Sequence, residues 1–361
     1  MANNKAGRGA AEDLGAMSGR GTKFLLGGSS LFTSSEHRAM AEALDKGLED
    51  IEKGLRQELS YTQDVADSVA RYLFDAGGKR VRPLLALLTS QWGDGINEKT
   101  VIAGQVVELT HLATLYHDDV MDEASKRRGV TAAHKVWTNS VAILAGDLLF
   151  ARAGSLGIQL GEAAMRRQTE TFERLVLGQM RETVGPSDNE DPIEHYLSVL
   201  EDKTGSLIAL AGELGLSQSD GPKEYIPAIQ GFGEKIGVAF QLVDDVLDLS
   251  PHEQETGKKA GTDIRRGVAT LPMLFLAQDA GGDETSATLL EDLEKGREGL
   301  LSEDGFSRAI ERLHSHSATS RTMDFARHVA DEAITYLSAV SEGVISQALA
   351  RFADQVVKRT N

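Results

Sequence analysis

Twice in this chain three aspartates stand in the spacing Asp-Asp-x-x-Asp: Asp118, Asp119 and Asp122, then Asp244, Asp245 and Asp248. On an α-helix residues i and i+4 share a face, so Asp118 and Asp122 point one way, and so do Asp244 and Asp248. Like charges one turn apart destabilise a helix, and the flanks do not read as a solvated surface. Leu112, Leu115, Val120 and Met121 surround the first cluster; Phe240, Leu242, Val243, Val246, Leu247 and Leu249 surround the second. Carboxylates presented from an apolar helix need a cation. An all-oxygen set without Cys or a His pair favours Mg²⁺, which keeps several waters and bridges to phosphate oxygens. Two acidic helix faces opposed across a cavity would hold a diphosphate through two or three such ions. A di-iron bundle would need two Glu-x-x-His motifs, and only Glu108 to His111 fits.

The rest of the pattern is helical. Only 7 prolines occur in 361 residues, and Pro83 and Pro272 sit where helices should start. Alternation of period two, the mark of a half-buried strand, is nearly absent. Helices are predicted over 37–59, 62–75, 82–92, 98–122, 140–158, 162–184, 193–213, 223–250, 270–280, 302–314 and 320–357. The length fits two average domains or one large helical one. The reading is an all-α fold with one large helical domain over 36–361, its helices around a central cavity, after a flexible N-terminal tail over 1–35 rich in Gly, Ala, Ser and Asn.

Composition narrows the function. The net charge of −17 argues against nucleic-acid and anionic-membrane binding. With Cys 0, disulfides, thiolate metal sites and Cys nucleophiles are excluded. No uninterrupted apolar stretch approaches the ~18 residues of a bilayer span, so no stable membrane insertion is expected. The N-terminus lacks a basic-then-apolar export pattern. A soluble, cytoplasmic protein is expected.

Cations appear where a diphosphate would want them. Gly77-Gly78-Lys79-Arg80-Val81-Arg82-Pro83 places three cations at a Gly turn leading into a helix, which combines exposed N–H groups, a positive helix end and side-chain charge. Arg127-Arg128-Gly129 follows the first aspartate cluster, and His111 lies two turns before Asp118. Gln241, Asp244, Asp245 and Asp248 form an i, i+3, i+4, i+7 stripe. Lys203-Thr204 and the run Gly257-Lys258-Lys259-Ala260-Gly261-Thr262-Asp263 complete the set.

Over about residues 60–280 the chain resembles the trans-isoprenyl (polyprenyl) diphosphate synthases. The matching segments are Gly77 to Pro83, Glu108 to Gly129, Gly146-Asp147-Leu148-Leu149, Lys203-Thr204, Phe240 to Asp245, Gly257-Lys258 and Gly261-Thr262-Asp263. The resemblance implies that Asp118, Asp119, Asp122, Asp244, Asp245 and Asp248 hold Mg²⁺ on an allylic diphosphate gripped by Arg127, Lys203 and Lys258. It implies that Lys79, Arg82, His111 and Arg128 bind isopentenyl diphosphate. Thr204 and Gln241 would turn oxygen dipoles toward a developing carbocation, making Lys203, Thr204 and Gln241 the catalytic set. It also implies an isoprenoid-synthase fold and a homodimer. Tyr116, two before the first Asp, is less usual for the family.

Product length is read from the helix before the first cluster. Short-chain members of the family tend to carry aromatic residues four or five positions before the first Asp. Here those positions are Thr114 and Ala113, and from Val107 to Asp118 the helix rises about 16 Å. A medium- or long-chain product, as used for quinone side chains, is expected. The alternatives are a short-chain (farnesyl or geranylgeranyl) synthase and a non-catalytic subunit of a heteromeric synthase. A class I terpene cyclase or head-to-head condensing enzyme is disfavoured by the isopentenyl site at Lys79, Arg82 and His111, because a cyclase has no second diphosphate to bind.

Overall fold

The computed structural model describes residues 35–250 and 260–358. The expectation for residues 1–35 therefore lies, up to residue 34, outside the described residues, as does Lys258.

The chain is all-α, as the periodicity predicts. Its contacts divide it into two compact units, each assembled from separate stretches: Met1–Thr171, Leu207–Gln230 and Leu337–Phe352 form the first, Phe172–Ser206, Gly231–Tyr336 and Ala353–Asn361 the second.

In the first unit the helices are α1 (Ser35–Glu58), α2 (Asp64–Asp75), α3 (Val81–Thr89), α4 (Glu98–Met121), the single turn α5 (Ala133–Val136) and α6 (Asn139–Gln159). Helix α4 is central. Asn97 caps it by accepting from the Thr100 amide at 3.0 Å while Thr100 Oγ1 accepts from the Asn97 amide at 2.9 Å, a reciprocal box that contributes about 1 kcal/mol. Along α4, Val106, Val107, Leu109 and Leu112 are buried, and α3 presents the buried run Leu84 to Leu88. Each such leucine stabilises the unit by roughly 1.5–3 kcal/mol. The pairing of α4 with α6 is the most extensive between elements of the described residues.

Helix α6 is also the one described helix long and apolar enough, by length and composition, to cross a bilayer. The sequence criterion of an uninterrupted apolar run passes over it because Asp147 and Arg152 break the run. Its packing on α4, α2 and α5 accounts for much of that apolarity.

Helix α7 (Glu162–Val184) and α10 (Ile226–Asp248) contribute residues to both units. The second unit adds α8 (Pro192–Leu200), α11 (Thr262–Arg266), α12 (Leu271–Ala280), α13 (Glu284–Arg297), α14 (Glu303–His314) and α15 (Ser317–Tyr336). Its core gathers Leu249, Ile264, Leu276, Leu289, Leu293, Phe306, Ile310 and Leu313. Helix α9 (Ser206–Ser217) returns to the first unit, and α16 (Val344–Lys358) closes the chain.

Three departures from the predicted elements have local causes. Helix α13 escapes sequence reading because its apolar positions are few; an Asp283 cap, accepting from the Ser286 amide at 2.7 Å, starts it. The long final helix is two, since it ends at Tyr336 and α16 begins after Gly343. The predicted helix 193–213 is interrupted by a π-turn over Glu201–Gly205.

Candidate active site

Both aspartate clusters sit at the C-terminal ends of their helices, α4 and α10, and neither last turn contains a basic residue. A helix C-terminus carries about half a negative charge from its aligned peptide dipoles. Three carboxylates there add to a field that is already negative. The physical demand for a cation, first argued from spacing, is thus reinforced by position.

Within each cluster the middle aspartate differs from its neighbours. Asp119 is 0% exposed, and its Oδ1 accepts from Arg127 Nε at 2.7 Å. Burial raises its pKa, opposed by the Arg127 guanidinium. Asp245 is 3% exposed, and its Oδ2 accepts from the Tyr196 hydroxyl and from the Leu271 amide. Burial pushes the Asp245 carboxyl well up, and the charges of Asp263 and Asp244 add to the rise against the Tyr196 hydrogen bond. Asp118, Asp122, Asp244 and Asp248 are half-buried. Asp248 Oδ2 accepts from the Asp263 amide at 3.0 Å, and its backbone carbonyl accepts from Gly261.

Among the described residues no three His, Asp or Glu side chains converge as a ready-made metal cage. The outer aspartates of each cluster, one helical turn apart, form a carboxylate pair on one face.

The cationic side of the first unit is built on buried carboxylates that sequence reasoning did not assign. Glu108 on α4 is 2% exposed and accepts from Arg80 Nη1 at 2.8 Å, with Arg128 Nη2 at 3.6 Å. Arg80 also donates to Glu52 of α1 and to the carbonyls of Gly77 and Phe74, and lies over the Phe74 ring. Burial alone would lower its pKa, but Glu108 and Glu52 hold it above the usual value. Arg80 is thereby a strut of the Gly77–Pro83 turn. Arg128 donates to the carbonyls of Leu73 and Gly77. It stands at φ 52 and Gly129 at φ 81, the tip of a hairpin whose strands β1 (Lys126–Arg127) and β2 (Val130–Thr131) are two residues each. Two successive positive φ values are what a two-residue hairpin turn requires, and the turn returns both arginines toward α4.

Arg82 lies among these groups. Its Nε is buried without a partner, and burial pushes its pKa down to about 10, with Glu108 opposing and Arg128 adding. His111 is held well below its ordinary pKa by burial and then by Arg82, Arg128, Arg127 and Arg80, so it is neutral. Lys79 is exposed on the same turn. The structure thus brings Arg82, His111 and Arg128 into one cationic region of the first unit, with Arg127 on Asp119. Tyr116 is 0% exposed, and its hydroxyl donates to the Val69 carbonyl and accepts from the Leu73 amide at 3.2 Å, tying α4 to α2.

In the second unit Lys203 and Thr204 occupy the π-turn, an element that recurs at functional sites because it breaks helical register. The turn lies against α10 without side chains between: a Cβ at Gly237 would stand 2.5 Å from the Gly205 Cα. Lys203 Nζ donates to Glu182 Oε2 of α7 at 2.6 Å. Arg174 braces the turn through Asp202 at 2.9 Å and through Glu234. Gln241 is half-buried on α10, one turn before the aspartates. Glu52, Glu182 and Tyr196 were not legible beforehand, since their partners are distant in sequence. Glu108 carried a signal, a lone carboxylate inside an apolar helix. In the first unit Ala113 is fully buried and Thr114 half-buried.

Carboxylate clusters at two helix ends, with Arg127 against Asp119 and Arg82 and Arg128 near Glu108, supply charged groups of the kind an enzyme acting on diphosphates would need. The family model for polyprenyl synthetase matches residues 63–300, and the chain belongs to that family. It is a prenyltransferase of the polyprenyl diphosphate synthase class. A nonaprenyl diphosphate synthase of Mycobacterium tuberculosis is 41% identical over 321 residues, covering 88% of this chain and 94% of the relative. A solved polyprenyl synthase of Caulobacter crescentus, complexed with calcium and isoprenyl diphosphate, superposes with a TM-score of 0.81 at 30% identity over 89% of this chain and 97% of that one. A geranylgeranyl pyrophosphate synthase of Corynebacterium glutamicum, with the same ligands, gives 0.76 at 40% identity over 91% and 98%.

Proposed function

We propose that this chain is a Mg²⁺-dependent head-to-tail synthase that adds isopentenyl diphosphate to an allylic diphosphate and makes a medium- or long-chain all-trans polyprenyl diphosphate for a quinone side chain. The observation that carries the two-substrate reading is the cationic region of the first unit, where Arg82 Nε is buried without a partner beside neutral His111 and Arg128. A second diphosphate completes that region. Arg82, Arg128, His111 and Lys79 bind it, while Arg127, Lys203 and Lys258 grip the allylic diphosphate. Asp118 and Asp122 on α4, and Asp244 and Asp248 on α10, would each hold Mg²⁺, which would offset the charge of the departing diphosphate. Thr204 and Gln241 orient oxygen dipoles toward the allylic carbon as its C–O bond breaks. The isopentenyl double bond forms the new C–C bond, and the proton it sheds goes to the released diphosphate, so no protein nucleophile is needed.

Length rests on Ala113 and Thr114, neither of which puts a ring beside the first cluster, and agrees with the nonaprenyl diphosphate synthase relative. The 40% identity to the geranylgeranyl pyrophosphate synthase favours a short-chain product as the second reading. A homodimer is supported by α6, which leaves Ile143, Leu144 and Ile158 exposed, the last two at 65% and 69%. A cytoplasmic location is supported by the acidic, cysteine-free composition.

The test is product analysis of the purified chain with Mg²⁺, labelled isopentenyl diphosphate and farnesyl diphosphate. A ladder ending well beyond C20 is expected, and Thr114→Phe should shorten it. A stop at C20 or below would keep the chemistry and overturn the length. No incorporation from any allylic primer would assign the chain as a non-catalytic subunit.

A further inference from the structure

The last turn of α4 is a poor place to hold carboxylates still. Its dipole is unfavourable, it contains no basic residue, and the next residue but one, Glu123, has φ 49. Just before that turn a side chain of α4 reaches a neighbouring helix at short distance. His117 Nε2 lies 3.0 Å from the Ile143 carbonyl of α6 and 3.4 Å from Asp147 Oδ1, and its ring leans on Phe150 with centroids 5.6 Å apart. The seat exists because residue 146 has no side chain: a Cβ there would stand 2.3 Å from His117 Nε2 and 3.2 Å from the Ala113 carbonyl.

We infer that His117 is a positioning residue for the first aspartate cluster. Seated on α6 between the Ile143 carbonyl and Asp147, in the space that Gly146 leaves, it fixes the rotation at which the end of α4 presents Asp118 and Asp122 to a divalent cation. This rests on the reading of that pair as Mg²⁺ ligands. Residues that orient metal ligands typically change metal affinity about 10–100-fold when removed. A side chain that only fills space changes the melting temperature alone.

The experiment measures the Mg²⁺ concentration that half-saturates the thermal shift produced by inorganic diphosphate, on the full chain without prenyl substrates. His117→Ala is expected to raise that concentration at least about 10-fold. His117→Gln, whose amide nitrogen reaches the same carbonyl, should restore most of the loss. Gly146→Ala should reproduce the His117→Ala effect, and the double variant should be no worse than His117→Ala, since the added methyl then meets no ring. Wild-type Mg²⁺ dependence in His117→Ala or in Gly146→Ala overturns the assignment. If His117→Ala does not fold, the Gln and Gly146 variants decide on the same criterion. Absence of any Mg²⁺ response in the wild type overturns the metal reading of the cluster, and the positioning role with it.

Discussion

The two aspartate clusters share a pattern, a helix end and a buried middle residue, and they differ in what holds that residue. Asp119 meets a guanidinium. Asp245 meets a hydroxyl and a backbone amide, with Asp244 and Asp263 adding negative field. A charged donor opposes the rise that burial imposes on a carboxyl, whereas acidic neighbours add to it. One motif therefore has two electrostatic settings. In the first cluster an arginine of the adjoining hairpin opposes the rise at Asp119, and in the second Asp244 and Asp263 add to the rise at Asp245.

That comparison is broken most severely by removing the outer aspartates. Asp118→Ala and Asp244→Ala should each lower turnover roughly 10²–10³-fold in steady-state incorporation assays. Their melting temperatures should hold or rise, because a repelling charge is gone. A mutant with normal turnover would sink the assignment of that cluster. Next come the charges inside. Glu108→Ala leaves Arg80 without one of its two carboxylates and Arg128 without its nearest one. Arg127→Met leaves Asp119 buried and unpaired. Stripping one partner from a buried pair costs about 3–5 kcal/mol, measurable as a fall in denaturant midpoint. Tyr196→Phe, by contrast, removes a neutral donor and should cost about 1–3 kcal/mol. Equal losses for Arg127→Met and Tyr196→Phe would erase the distinction between the clusters.

What the sequence disclosed divides along the same line between local and distant. Helix α7 coincides with its predicted span, 162–184, and α4 ends within a residue of its prediction, because amphipathic period and caps are local. The Asp-x-x-x-Asp faces and the Gly77–Pro83 turn were legible for the same reason. The π-turn was not, since the contact between Gly205 and Gly237 that accompanies it joins two helices. Nor could spacing show that Arg80 faces inward to Glu52 and Glu108. Tyr116, unassigned from sequence, proves to be an anchor to α2, a role visible only once Val69 and Leu73 are beside it.

The smallest expected effect is also the sharpest contrast, because two buried groups, His111 in the first unit and Asp245 in the second, should respond to pH with opposite sign. His111 is held below its unfolded value, so beneath pH ~6.5 the unfolded chain binds a proton that the folded chain refuses, and stability falls as pH falls. Asp245 is held above its unfolded value, so above pH ~4 the folded chain keeps a proton that the unfolded chain releases, and stability falls as pH rises. Each contributes at most about 1.4 kcal/mol per pH unit within its window. Metal-free melts of the wild type, His111→Gln and Asp245→Asn between pH 5 and 8 separate them. The first variant should lose part of the decline toward acid, the second part of the decline toward base. If both variants flatten the same limb, the opposite shifts assigned to His111 and Asp245 are wrong.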